Sequence, residues 1–383
     1  MKHDCQILIC GDLCVLPETA ELFDSGNAAG LFKGLMEPFR QADLLIGNLE
    51  CPLTDIGQGI TKCGPVLKGK TACISALKAA GFDLLSLANN HIRDCGDEGV
   101  LSTLDSCHHA GISTVGAGAG TDSARKPVVV ERGGWKIGVM AFAEHEFNAA
   151  AENRAGAHLF DPYESLDEIR TLRKECDYLI LLYHGGIEHY VYPSPLLQKK
   201  CRKMVDVGAD LVLCQHSHCV GTTESYSGGT ILYGQGNTIF GYRENDPEWN
   251  EGLLVKITLT ERLQRRDTIE YLPIASDRTG VDLMPADLAK ICLQAFLRRS
   301  QHIVDKSFVE CSWQDFCEAK QAHYLPLLLG LGRIVNFANR KVRNLIVNIL
   351  YSKRQLRTTM NLVRCEAHHE VVETILKRAS EAE

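Results

Sequence analysis

Short apolar runs recur along the chain, each closing abruptly in polar or glycine residues. Gln6 to Cys10 runs into Gly11-Asp12, Asp43 to Gly47 into Asn48-Leu49-Glu50, and Phe82 to Ala88 into Asn89-Asn90-His91. Further on, Tyr178 to Tyr183 meets His184, Asp210 to Cys214 meets Gln215-His216-Ser217-His218, and Thr230 to Tyr233 meets Gly234-Gln235-Gly236-Asn237. Runs of this length without polar alternation read as strands buried on both faces. Trp135 to Phe142 and Gly252 to Leu259 read as further strands, the first paired with Pro127 to Glu131 through the Arg132-Gly133-Gly134 turn. Helical spacing fills the gaps over 71–80, 96–110, 162–175 and 195–207. Strand alternating with helix predicts an α/β sandwich that closes near Leu272 to Ile274. In such folds ligands gather at the carboxyl ends of the strands, so Asp12, Glu50, Asn90, His91, His184, His216 and His218 are expected on one rim.

After Asp277-Arg278-Thr279-Gly280 the pattern turns helical, most clearly over Ala286 to Ser300 and Trp313 to His323. The expected organisation is one domain over 1–280 and a mostly helical C-terminal region over 281–383, with the boundary within 276–285. From Arg333 to Arg364 there are eight Lys/Arg and no Asp or Glu, interleaved with Phe337, Val342, Leu345, Ile349 and Leu350 among others. Two readings stay open for this stretch. It is either a basic amphipathic element for a peripheral membrane or protein contact, or a terminal helix whose apolar stripe packs on its own body.

Composition narrows the function classes. The chain of 383 residues has 41 Lys/Arg against 48 Asp/Glu, a net charge of −7. From Pro285 onward there are 15 basic and 10 acidic residues, which leaves the first 284 at −12. Basic character therefore lies away from the expected rim, and no nucleic-acid partner is expected. Sixteen cysteines occur without any C-x-x-C spacing, so neither a zinc ribbon nor a dithiol motif is indicated. The N-terminus MKHDCQILICGDLC does not read as a signal peptide, because Asp12 interrupts its apolar run, and no stretch reaches 18 apolar residues. A cytoplasmic protein with reduced thiols is the expectation.

A pair of divalent cations needs carboxylates, neutral imidazoles and an oxygen donor that bridges both ions. Asp12, Glu50, Asn90, His184, His216 and His218 offer that set. Taken singly, each has a plainer reading: Asp12 as a helix cap, Glu50 as a loop carboxylate, Asn90-His91 as a turn, each histidine as a satisfied core residue. Their common placement at strand ends argues for the shared site. His145 and His189 are secondary candidates for substrate contact, and Gly236-Asn237 either shape the site's floor or form a plain turn. Gly116 to Gly120 lacks the Lys-Ser/Thr of a phosphate-binding loop and is expected to be a flexible connection.

The segments GDLCV, ADLLIGNLECPLT, DLLSLANNHIRDCGDEGVLSTLDSCHHAGISTVGAG, LLYHGGIEHYVYPSPLLQKK, VGADLVLCQHSHCV and ILYGQGNTIF resemble the successive motifs of the capsule-synthesis CapA (PGA_cap) family, a branch of the calcineurin-like metallophosphoesterases. The resemblance covers about residues 5–245. It implies an α/β/β/α sandwich and two divalent metals, Mn, Fe or Zn, on Asp12, Glu50, Asn90, His184, His216 and His218. It also implies a metal-activated hydroxide that attacks phosphorus, with His91 protonating the leaving oxygen and Asp94 and Glu188 supporting His91 and the attacking water. Cys14 stands where the superfamily's first motif usually carries a histidine, so it is either a thiolate ligand or a buried thiol. The implied substrate is a small phosphorylated or polyanionic molecule of capsule, poly-gamma-glutamate or related cell-surface polymer metabolism. The alternative is a non-catalytic polyanion-binding or assembly subunit with a structural metal site.

Overall fold

The structure is a computed structural model that describes residues 2–261, 267–330, 332–342 and 345–381. In chain order its strands are β1 (Cys5–Leu13), β2 (Leu44–Leu49), β3 (Leu84–Ser86), β4 (Ser113–Val115), β5 (Ala117–Gly118), β6 (Val128–Arg132), β7 (Trp135–Ala143) and β8 (Gly156–Ala157). They continue as β9 (Tyr178–His184), β10 (Leu211–Gln215), β11 (Thr223–Tyr226), β12 (Gly229–Leu232), β13 (Asn237–Ile239), β14 (Glu251–Leu259), β15 (Asp267–Asp277) and β16 (Gly280–Leu283). One sheet runs β16-β15-β14-β1-β2-β3-β4, with β13 also pairing β1; the second runs β11-β12-β10-β9-β7-β6. Strands β1 to β4 are mutually parallel, as are β7, β9, β10 and β12. The antiparallel strands β14 and β15 extend the first sheet beyond β1.

The period-2 alternation of side chains explains how the layers stack. In the second sheet Ile137, Val139, Ile180, Leu182, Leu211 and Leu213 join a core shared with Ile7, Ile9 and Ile46 of the first sheet. Their neighbours Met140, Phe142, Leu179, Leu181, Val212 and Cys214 turn the other way and pack on Ile169, Leu172, Cys201 and Met204. Those last four belong to the helices Ser165–Arg173 and Pro195–Asp206, the latter started by Pro195 and by Ser194 Oγ, which accepts from Leu197 N at 3.1 Å. On the far side of the first sheet, the rings of Phe32, Phe39 and Phe82 meet at 5.4–5.7 Å under the short helices of residues 28–41. The result is helices, sheet, sheet, helices: an α/β sandwich as the alternation of elements predicts, with the layering that the family resemblance implies.

Three details differ from the sequence reading. The first sheet does not close at Ile274, because β15 runs to Asp277 and β16 folds back on it with Gly280 opposite Asp277. The helix Ala286–His302 also belongs to this body, since Phe296 is fully buried and its ring stands 4.9 Å from that of Tyr271. The first compact unit therefore extends to Glu310, past the boundary expected within 276–285. Gly116 to Gly120 is not a free connection: Ala117–Gly118 pairs with Gly156–Ala157. The unit from Cys311 onward is helical, with helices Arg333–Lys341, Leu345–Leu350, Lys353–Arg364 and Glu366–Glu381. Within the expected basic stretch, Arg343 and Asn344 lie outside the described residues. No described helix is long and apolar enough to cross a membrane. All sixteen cysteines are unpaired.

Candidate metal centre

Local backbone geometry delivers the side chains to the rim. Asp12 lies near the end of β1, directly after Gly11, where a Cβ would sit 2.2 Å from the carbonyl oxygen of Gly236. Only glycine lets β1 run this close to the turn before β13. His184 is the last residue of β9, and His216 and His218 follow β10. These two take φ values of 91° and 52°, a left-handed backbone that is costly for a residue with a Cβ. The backbone there is held in part by His216 N donating to Asp12 Oδ2 at 3.1 Å. Strained backbone at two histidines of one four-residue turn marks a site where ring placement outweighs local comfort.

The donor atoms converge around Glu50. Asp12, Glu50 and His184 form one trio, and Glu50, His216 and His218 a second, each with its ligand atoms within 4.8 Å of one another. Glu50 belongs to both. Its side chain is fully buried, and neither carboxylate oxygen has a hydrogen-bond partner. His184 Nε2 stands 3.3 Å from Glu50 Oε1, 3.0 Å from Asn90 Oδ1 and 3.1 Å from His216 Nδ1. A single ring proton can serve only one of those three lone pairs. An unpaired buried carboxylate and facing imidazole nitrogens are expensive in a dry interior, and divalent cations would satisfy them. The donor set of carboxylate, amide oxygen and imidazole suits manganese, iron or zinc.

Ionisation follows the same logic. Burial, followed by the neighbouring Glu50, pushes the Asp12 carboxyl up to about 7, and burial lifts Glu50 well above its ordinary range. Burial pulls His184 down to about 4. His216 falls to about 3 through burial and the charge of His184, and His218 falls well below its ordinary value through burial and His216. Burial thus favours neutral imidazoles, the form that binds metal, and favours protonated carboxyls, whose protons a cation would displace.

Supporting residues orient this set. Asn48 Nδ2 donates to Asp12 Oδ1 at 2.7 Å and lies 3.1 Å from His184 Nδ1. Asn237 Oδ1 meets His218 Nδ1 at 2.9 Å, while its amide nitrogen donates to Trp249 O. The His218 ring is sandwiched near Phe240 and Trp249, with centroids 4.5 and 4.7 Å away. Beside the trios, His91 Nδ1 contacts Asp94 Oδ2 at 2.6 Å, and Asp94 is also paired with Lys62 and accepts from Leu67 N. The Lys62 and Asp94 side chains are both buried.

These groups open on a cleft of about 450 Å³ lined by Lys62, Asn90, His91, Glu146, Glu188 and Arg243 among others. A larger, shallower groove of about 810 Å³ lies between the helices Ile74–Ala80 and Gly96–His109, but neither metal-ligand trio borders it. The candidate ligands therefore face the smaller cleft. Glu188 is exposed on its wall. Glu146 Oε1 stands 3.9 Å from His216 Nε2, and burial raises its carboxyl above the ordinary range. Arg243 lies over the Trp249 ring, 3.1 Å from its centroid. Cys14 is buried outside both trios, near Cys51, whose sulfur accepts from Val15 N. Its placement is that of a buried thiol. His189 stacks on Trp249, whereas His145 lines a separate small pocket beside His158.

Asn48, Lys62 and Glu146 are not among the residues to which the sequence pattern points. Asn48 carries a usable signal, a carboxamide inside a fully buried strand. Lys62 has none, since it lies in a polar loop without periodicity.

The family model described as bacterial capsule synthesis protein PGA_cap matches residues 6–242, a stretch that holds all six candidate ligands. The PGA biosynthesis protein CapA of Bacillus subtilis is 28% identical over 236 residues, covering 60% of this chain and 62% of that protein. The capsule biosynthesis protein CapA of Bacillus anthracis is 27% identical over 240 residues, covering 60% and 58%. The chain thus matches about 60% of the length of each of these relatives. Among solved structures, a hypothetical protein from Thermus thermophilus aligns with a TM-score of 0.46 at 18% identity, over 71% of this chain and 100% of that one. With more than half of its length matched by the family model, this chain belongs to the bacterial capsule synthesis protein PGA_cap family.

Proposed function

We propose that this chain is a metal-dependent phosphoester hydrolase, acting on a small phosphorylated or polyanionic metabolite of capsular or polyglutamate polymer metabolism. The observation that carries the reading is Glu50, buried, without a hydrogen-bond partner, and common to both ligand trios. A carboxylate in that position is costly when nothing neutralises it, and cations held by the two trios that share it would do so. Asp12, Glu50, Asn90, His184, His216 and His218 would hold them. Two divalent cations bound there would supply an activated water and neutralise charge developing on phosphorus.

The remaining steps belong to the side chains. With Nδ1 held by Asp94, His91 has Nε2 as the ring nitrogen that delivers a proton to the leaving oxygen. Asp94 and Lys62 are positioning residues, fixing the tautomer and tilt of that ring. Asn237, Phe240 and Trp249 fix His218 in the same sense. Arg243 places a cation on the cleft wall where an anionic substrate group would lie.

Elemental mass spectrometry of the purified protein beside His216→Ala tests this reading, with hydrolysis of a generic phosphomonoester and phosphodiester followed on the same samples under added manganese. About two transition metals per chain in the wild type, with metal and hydrolysis both lost in the variant, is the expected outcome. A metal-free, inactive wild type would favour the second reading, a polyanion-binding or assembly subunit.

A further inference from the structure

We propose that the C-terminal helical unit is a docking surface for an anionic lipid bilayer, on which it lies in the plane of the headgroups. This proposal is independent of the hydrolase reading. Between Glu318 and Glu366 there is no acidic residue, against nine Lys/Arg. In the same stretch Phe337 is 64% exposed, Ile349 71% and Met360 62%. Large apolar residues exposed to this degree more often sit in a core or against a partner.

The helical spacing organises both features. In the helix Leu345–Leu350, the pairs Leu345/Ile349 and Ile346/Leu350 are four apart and make one apolar stripe. In the helix Lys353–Arg364, the spacing of Leu356, Met360 and Val363 by four and three places them on one face. Lys353, Arg357 and Arg364 fall on the flank beside that face, where long basic side chains reach headgroup phosphates while their stems cover hydrocarbon. Ser352 and Gln355 form a capping box that starts this helix independently of any partner. The pieces are nine, six and twelve residues long, and no described helix is able to cross a bilayer. Short amphipathic helices with apolar faces and basic flanks are the pattern of elements that lie in the interface. Charge complementarity selects anionic lipid over neutral lipid, and the apolar stripe selects a bilayer over a soluble polyanion.

The test is co-sedimentation of the full chain with vesicles of phosphatidylcholine alone and of phosphatidylcholine with about one third phosphatidylserine. Binding to the anionic vesicles should be at least about tenfold stronger and should fall steeply with salt. The triple substitution Lys353→Gln, Arg357→Gln, Arg364→Gln should remove about tenfold or more of that binding. Leu356→Ser with Met360→Ser should weaken it on both vesicle types, with the helix content unchanged by circular dichroism. Equal binding to both vesicle types, or none, overturns the proposal. So does a concentration-dependent dimer in sedimentation velocity that Leu356→Ser with Met360→Ser abolishes, which would assign the face to a second copy. Capture of the chain by soluble poly-glutamate with vesicles ignored would assign the basic flank to a polyanion and equally overturn it.

Discussion

The body of the protein and its C-terminal helical unit break the usual rule of burial in opposite directions. In the body, Asp12, Glu50, His184, His216 and His218 are ionisable groups buried together, and both Glu50 carboxylate oxygens lack a hydrogen-bond partner. In the helical unit, Phe337, Ile349, Leu350, Met360, Ile375 and Leu376 are apolar groups left exposed. Folding alone rewards neither arrangement. On the two proposals made above, each would become favourable when something outside the chain completes it, a small cation in the first case and a broad surface in the second. The difference in scale matters: a cation is satisfied by a few atoms fixed to within tenths of an ångström, whereas a surface asks only for a face and a sign of charge. This fits the strained φ of His216 and His218 in the body and the short, separately started helices of the terminal unit.

The largest expected effect comes from Glu50→Gln, which keeps the shape of the side chain but removes the charge common to both trios. Metal content should drop to one ion per chain or fewer, and kcat against a phosphomonoester should fall by about 10³ or more, because in the proposed mechanism the activated water would need both cations. Retention of two ions and of activity would break the assignment of Glu50. Next in size is His91→Gln. The general acid is expected to contribute about 10²–10⁴ in kcat, with metal content unchanged because His91 lies outside both trios. The effect should shrink for substrates with a good leaving group such as nitrophenol. A parallel loss of metal would instead make His91 part of the ligand set.

A smaller, pH-dependent effect separates the cost of the site from its chemistry. In the metal-free protein Glu50 is raised well above 4.5 by burial, so above that pH the unfolded chain releases a proton that the native chain retains. The unfolded state then binds fewer protons than the native state, and native stability falls as pH rises, by about 1.4 kcal/mol per unit for one such group. His184, down at about 4, acts with the opposite sign: native stability rises with pH up to its unfolded value near 6.5. Comparing apo wild type with apo Glu50→Gln cancels the histidine contribution. The variant should match the wild type near pH 4 and become progressively more stable than it toward pH 7, by urea denaturation. A constant difference across that range would mean that Glu50 stays charged in the native apo protein.

Much of the body is legible in the sequence because a buried parallel strand announces itself as an unbroken apolar run, and each run's first polar residues mark the rim. On that pattern alone Asp12 after Gly11 and His184 after Tyr183 fall at strand ends. What is not legible depends on partners far away along the chain. Lys62 gains its place only by pairing with Asp94, 32 residues on. Strand β16 is short and half exposed, and it exists because it pairs with β15 across the Asp277–Gly280 turn. The helix Ala286–His302 is plain as a helix from its spacing, but its membership of the body rests on Phe296 meeting Tyr271, a contact no local pattern encodes. For the C-terminal unit the amphipathic, basic pattern is equally plain, while what covers its apolar face is not encoded in that pattern.

The smallest expected effect tests that outward face directly. Met360→Ser replaces a large apolar group that is 62% exposed in the helix Lys353–Arg364. Where a side chain already faces water, its truncation forfeits little transfer free energy, and serine costs the helix only about half a kcal/mol in propensity. The urea midpoint of helix loss should therefore shift by no more than about 0.5 kcal/mol equivalent. A buried methionine or leucine truncated in the same way costs about 2–5 kcal/mol through lost contacts and the cavity left behind. A loss of that size at Met360, in the protein alone and without lipid, would mean that this face is covered within the molecule in solution. The two regions would then cease to be opposites, and the terminal unit would be a second core rather than a surface awaiting one.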